Sequence, residues 1–346
     1  MSAAAVGSAA ADGCLLCGAA GTALYKDVPD LLVGSPGRWT VLRCTNQACG
    51  SLTLSPRPSP QVLQDAYKDY FTHDEGAPIP QGRGFRKRVR RAFQQRALGY
   101  PFGSRNVEPL LGRLYGLSPI RREAALRELF YVSHVPGGRL LEVGCGNGRQ
   151  LERLAQAGWQ VEGVDFDERA VQTARRLGLD VRVGDLASAR YPDERFDAVI
   201  LSHVIEHVPD PVALLAECRR ILKRGGQLVL ATPNSDSWGH RTYGKAWLGL
   251  DPPRHLLVFT ARALARSAEH AGFQDATTTT KSIAAAGWFL ASVWRARALV
   301  DNRLAPLPDG RDWVPLRLRL LALFERILCN AGRQVGEEII LKARKH

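Results

Sequence analysis

From Arg139 onward the chain alternates short apolar runs with amphipathic stretches that stop at glycine, and this rhythm constrains the fold more than any other feature. RLLEVG, VEGVDF, VRVGDL, FDAVILSHV and QLVLATP read as strands; RQLERLAQAG, ERAVQTARRLG, PVALLAECRRILKRGG and TARALARSAEHAG read as helices. Strands alternating with helices of this length form βαβ units and hence a doubly wound, mostly parallel sheet. The expected fold class is therefore α/β, with a seven-stranded sheet if FQDATTTTK (273–281) and EEIILKA (337–343) complete it. Residues 282–333 would then be an inserted helical hairpin between the last two strands, turning at LAPLPDGRDWVP.

Upstream, SPRPSP at 55–60 is stiff punctuation that closes a first module. Residues 61–75 suit a short helix ending in an aromatic patch, GAPIPQGRG breaks it, and 106–135 read as helical. The expected organisation is a module over 1–60, a helical connector over 61–136 and an α/β domain over 137–346.

LLEVGCGNG follows the first strand of that domain and opens its first helix. Gly144, Gly146 and Gly148 permit a tight turn and close approach of a ligand to the backbone, with Cys145 and Asn147 between them. Asp165 ends the second strand 21 residues after Gly144, where a carboxylate accepts from ribose hydroxyls; Phe166 follows it. Asp185 and Leu186 close the third strand, placed for an adenine, Ser202 ends the fourth, and Glu142 precedes the glycines. A dinucleotide-binding loop carries G-x-G-x-x-G, and here the third glycine falls one position early.

EVGCGNG, VDFD, GDL, FDAVILSHVIEHVPDP and RILKRGGQLVLATPN together resemble the class I S-adenosylmethionine-dependent methyltransferases, from about Arg139 to Thr280. The resemblance implies a Rossmann-like sheet, S-adenosylmethionine as cofactor, and an enzyme. PNSDSWGHRTYGKAWLGLDPPRHLLVFT further resembles methyltransferases of bacterial envelope and polysaccharide clusters, which implies a saccharide or lipid-linked saccharide acceptor. Two other readings stay open: methylation of a quinone or other small molecule, since IEHV-x-DP also occurs there, and a non-catalytic cofactor-binding scaffold.

Methyl transfer needs a positioned acceptor and often a base. His203, Glu206 and His207 lie just past the fourth strand, where such folds place substrate, and a helical turn would put both histidines on one side. His207 is the expected base with Glu206 or His203 polarising it; a metal there lacks an obvious third ligand. His255 in PPRHL is a further catalytic candidate, and Arg254 could hold an acceptor anion or merely bridge two loops.

Cys14-x2-Cys17 and Cys44-x4-Cys49 lie 26 residues apart, each pair followed by glycine. Two such knuckles suit one structural zinc in a zinc-ribbon-like module.

Lys and Arg total 47 against 34 Asp and Glu, a net charge of +13 that favours an anionic partner. The run RGFRKRVRR at 83–91 would fit nucleic acid, but no RNA-binding module accompanies it. SIAAAGWFLASVWRARALV and VPLRLRLLALFERILCN are helix-length, apolar and edged by arginine, with Trp288, Trp294 and Trp313 near their ends. That profile fits helices lying on an anionic membrane surface, or packing on the sheet. The start MSAAAVGSAAADG reads as no secretory signal, so a cytoplasmic protein, peripheral at the inner face of the membrane, is expected.

Overall fold

The computed structural model describes residues 13–67, 84–102, 108–305, 308 and 312–346. The first twelve residues, most of GAPIPQGRG with Arg83, and most of the Pro/Asp turn of the insert lie outside the described residues.

Three antiparallel strands open the described chain: β1 (Gly21–Val28), β2 (Trp39–Cys44) and β3 (Leu52–Ser55). Four helices follow, α1 (Pro60–Tyr67), α2 (Phe85–Leu98), α3 (Glu108–Gly116) and α4 (Pro119–Glu128). Then come β4 (Arg139–Val143), α5 (Arg149–Gln156), β5 (Gln160–Asp165), α6 (Glu168–Arg176), β6 (Asp180–Val183), β7 (Phe196–Ser202), α7 (Pro211–Ile221) and β8 (Leu222–Pro233). The chain closes with α8 (Trp238–Tyr243), β9 (Leu257–Val258), α9 (Ala261–His270), β10 (Thr277–Lys281), α10 (Ala285–Asp301), α11 (Leu316–Asn330) and β11 (Glu338–Arg344).

Seven strands form one sheet in the order β10-β11-β8-β7-β4-β5-β6. All its pairs are parallel except those of β11, which runs antiparallel to both β8 and β10. Strand β7 buries nearly every side chain, as a central parallel strand covered by helices on both faces must. The helices start where capping chemistry places them: Asp167 accepts from the Arg169 and Ala170 amides, and Asp210 accepts from Ala213 ahead of Pro211. Helix α7 stops at Ile221, sooner than the sequence pattern implies, because buried Leu222 is drawn into register with Phe196 and Gly225 turns in the left-handed region.

The insert between β10 and β11 is indeed a pair of helices, with Phe289 and Leu290 of α10 packed on Leu318 and Ala322 of α11. Burying each of the Phe and Leu side chains contributes about 1.5–3 kcal/mol. The front sheet takes a fourth strand from far down the chain: β9 pairs with β3, Leu52 opposite Val258. Val28, Trp39, Val41 and Leu54 pack there on Trp247 and Leu250.

Candidate active site

Strand β4 lies between β5 and β7, so the connections leave it in opposite directions and open a crevice at the strands' carboxyl ends. A cavity of about 680 Å³ fills that crevice, a size typical of ligand sites. Gly144, Gly146, Asp165, Phe166, Asp185, Leu186 and Ser202 all line it. A Cβ on Gly144 would meet Val204 Cγ2 at 2.3 Å, so only glycine fits there. The Gly146 amide donates to Asp165 Oδ2 at 2.7 Å and the Asp167 amide to Oδ1 at 2.9 Å, which fixes the carboxylate at the cavity wall. Asp185 accepts from the Ser188 amide at 2.7 Å, and that bond holds its carboxyl below the usual range.

Four of the expected cofactor residues sit behind this wall rather than in it. Glu142 is buried, and desolvation followed by the nearby Asp165 charge pushes its carboxyl well up. Cys145 packs in the core with its thiol raised by burial. Asn147 accepts from the Arg149 amide at 3.3 Å, and Gly148 is the left-handed N-cap of α5.

The catalytic candidates separate. Residues 204–207 form a turn instead of a helix, and His203 adopts a φ of 54°, so the two histidines do not share a helical face. His203 donates from Nε2 to Glu338 Oε1 at 2.8 Å and from Nδ1 to Glu206 Oε1 at 3.2 Å. Burial opposes its charge, but the two carboxylates outweigh it and push the imidazole up to about 10. Burial likewise raises Glu206 and Glu338, but neighbouring cations win: His203 above all for Glu206, Arg127 and His203 for Glu338, each held down to about 2. His203 is thus an imidazolium with both protons engaged, and it has no lone pair to act as a base.

His207 is differently placed. Its Nδ1 lies 2.9 Å from the Arg254 carbonyl, which can only accept, so Nδ1 carries the proton and Nε2 the lone pair. The Tyr67 hydroxyl lies 2.8 Å from the same Nδ1, and Tyr67 packs edge-on against Phe166. His255 stands 4.7 Å away, ring to ring, and donates from Nδ1 to the Gly249 carbonyl at 2.9 Å. Burial above all pushes His255 down to about 4, so it is neutral at pH 7. Both histidines line the cavity; Glu206, fully buried, does not, and its Oε2 accepts from Thr232 at 3.0 Å. Donor atoms of Glu206, His207 and His255 lie within 4.8 Å of one another, a grouping that leaves His203 out.

Arg254 is fully buried and bonds to Asp30 and Asp251, so it bridges segments and does not face an acceptor anion. Asp251 also accepts from Arg295 of α10 at 3.2 Å, which joins front module, site loop and insert in one network. The cysteines cluster as expected: Cys14 and Cys49 Sγ lie 3.6 Å apart, Cys17 and Cys44 3.5 Å, and all four within 4.8 Å. Gly18 and Gly50 take the left-handed turn that closes each knuckle. Sequence reasoning missed Leu32, Tyr67 and Trp288, which wall the cavity, and Glu338, which clamps His203. The aromatic patch within QVLQDAYKDYFTHDE was the one available signal for Tyr67.

Residues 118–278 match the family described as a methyltransferase domain. A ubiquinone biosynthesis O-methyltransferase of Xanthomonas oryzae pv. oryzae is 39% identical over 130 residues, 35% of this chain and 52% of that protein. The protein of the same name from Alkalilimnicola ehrlichii is 36% identical over 157 residues, 42% of this chain and 59% of its own. The chain thus spans about half the length of the curated relatives it matches. A solved S-adenosylmethionine-dependent methyltransferase of Thermotoga maritima superposes with a TM-score of 0.42 at 23% identity, over 68% of this chain and 94% of that one. These relatives overturn the saccharide acceptor expected from residues 233–260, since they are named for ubiquinone biosynthesis. The cavity's largely apolar lining agrees, because a sugar needs many polar partners. By the family match, residues 118–278 form a methyltransferase domain.

Proposed function

We propose that this protein methylates a hydroxyl on an apolar, ring-shaped acceptor of the quinone-precursor class, with His207 as general base, and that Cys14, Cys17, Cys44 and Cys49 hold one structural zinc. The observation that carries the base is the His207 tautomer, which leaves an Nε2 lone pair on a histidine of the cavity wall. When bound, S-adenosylmethionine supplies an electrophilic methyl group. Gly144, Gly146, Asp165, Phe166 and Asp185 would hold that cofactor. Tyr67, Trp288 and Leu32 offer the acceptor flat, apolar walls and exclude water. His207 would take the hydroxyl proton at Nε2, which would ready the acceptor oxygen for the methyl group that the bound cofactor would supply. Proton transfer of this kind contributes about 10²–10⁴-fold.

The test is methyl transfer to a hydroxylated aromatic ring bearing an apolar tail, compared with a nucleotide sugar. His207→Gln should lower kcat by about 10²–10⁴-fold while calorimetry shows unchanged S-adenosylmethionine binding. Asp165→Ala should instead weaken that binding at least about tenfold, roughly 1.4 kcal/mol. Transfer to the sugar alone would overturn the acceptor, and full activity of His207→Gln would overturn the base. Loss of transfer on chelation in a Cys14→Ser/Cys17→Ser background would reassign deprotonation to a metal held by Glu206, His207 and His255.

A further inference from the structure

The two helices of the insert part company. Helix α10 is buried or half-buried along most of its length, with Trp288 in the cavity wall and Arg295 tied to Asp251, so it packs on the protein. Helix α11 buries Leu318, Ala322 and Glu325 but leaves Leu316, Leu320, Leu323, Phe324 and Ile327 44–66% exposed. Those five fall at i, i+4, i+7, i+8 and i+11, one stripe about 100° wide. Trp313, 73% exposed, extends it beyond the helix start. On the same wheel Arg317 borders one side of the stripe and Arg319 and Arg326 the other, while Glu325, the helix's single acid, is on the buried face. A contiguous apolar face of this kind marks a binding surface.

We propose that α11 docks on the surface of an anionic lipid bilayer, its stripe in the headgroup–acyl boundary and its arginines on lipid phosphates. This goes beyond the methyl-transfer reading and does not depend on it. Charge selects the occupant. The face carries three arginines and no exposed acid, and two copies meeting about a two-fold axis would set those arginine borders against each other. Anionic headgroups neutralise them while the side-chain stems stay in apolar surroundings. A shallow groove beside the stripe has the same character: Val293, Ala296 and Val300 line it, with Arg297 and Arg317 at the rim. Asp301, the acid present there, is paired with Arg303. Among the described residues no helix is long and apolar enough to cross a membrane, so the contact is with one face.

The experiment is flotation of the full chain with phosphatidylcholine vesicles, with and without phosphatidylglycerol, at low and high salt. Wild type should float only with the anionic vesicles and at least about tenfold less at high salt, because salt screens exposed charges. Leu320→Ser/Phe324→Ser should lose flotation, and Arg317→Gln/Arg319→Gln/Arg326→Gln should lose its salt-sensitive part. Both variants should keep the wild-type melting curve and S-adenosylmethionine binding, so failure here and failure of the methyl-transfer reading are distinguishable. Wild type remaining at the bottom with anionic vesicles would overturn the proposal, as would flotation of the stripe variant. A wild-type dimer that Leu320→Ser/Phe324→Ser converts to monomer, with no vesicle binding, would assign the stripe to a second copy instead.

Discussion

His203 holds a proton at neutral pH because two buried carboxylates face it, and this has a pH signature. Its folded pKa, about 10, exceeds the free value of 6.5, so the stabilisation is complete below pH 6.5 and disappears as pH rises through 10. Glu206 and Glu338 lie near 2 against a free value of 4.5, so their contribution is present above pH 4.5 and is lost as pH falls through 2. The difference in Tm between wild type and His203→Gln should therefore be largest near pH 5–6 and shrink towards pH 10. A third of the His203 side chain is exposed, so water moderates the slope; a difference independent of pH would disprove the imidazolium. At this scale the sequence was half legible. SHVIEHV pointed to the cavity rim past the fourth strand, but spacing could not reveal that a left-handed φ at His203 sends it to Glu338, 135 residues away. The glycines and Asp165 were legible because one local strand–turn–helix dictates their places. Arg254 was not, since its partner Asp30 comes from 224 residues upstream.

Among the elements, the cysteine knuckles carry the next prediction. Sulfur separations of 3.5–3.6 Å are close to the edge of a ZnS₄ tetrahedron, about 3.8 Å for Zn–S bonds near 2.3 Å. Elemental analysis should give about one zinc per chain, absent from Cys14→Ser/Cys17→Ser; zinc-free wild type purified without chelator would refute the site. Because Thr260, at the head of α9, donates to the Cys49 carbonyl at 2.7 Å and β9 completes the module's sheet, loss of zinc should impair acceptor methylation more than cofactor binding. The α/β elements could be read from periodicity because each answers to a local pattern. That β9 joins the front sheet could not, since LV is two residues long and its pairing is a tertiary choice. The insert was read as two like helices, and they differ because α10 reaches the cavity wall whereas α11 packs along one face only and leaves the other exposed.

For the molecule as a whole, the Asp30–Arg254–Asp251–Arg295 network is the tie between front module, site loop and insert. Breaking a buried pair on one side costs about 3–5 kcal/mol; Asp30→Ala leaves Arg254 with Asp251, so the lower end is expected in urea denaturation. Wild-type stability in that variant would show the tie to be dispensable. The cavity that this tie braces has two construction histories. One side of its wall comes from the run Val143–Ser202, whereas Leu32, Tyr67 and Trp288 reach it from three separate stretches of chain. On the proposed reading, exchanging the front module or the insert would change which molecule is methylated and leave the methyl supply untouched.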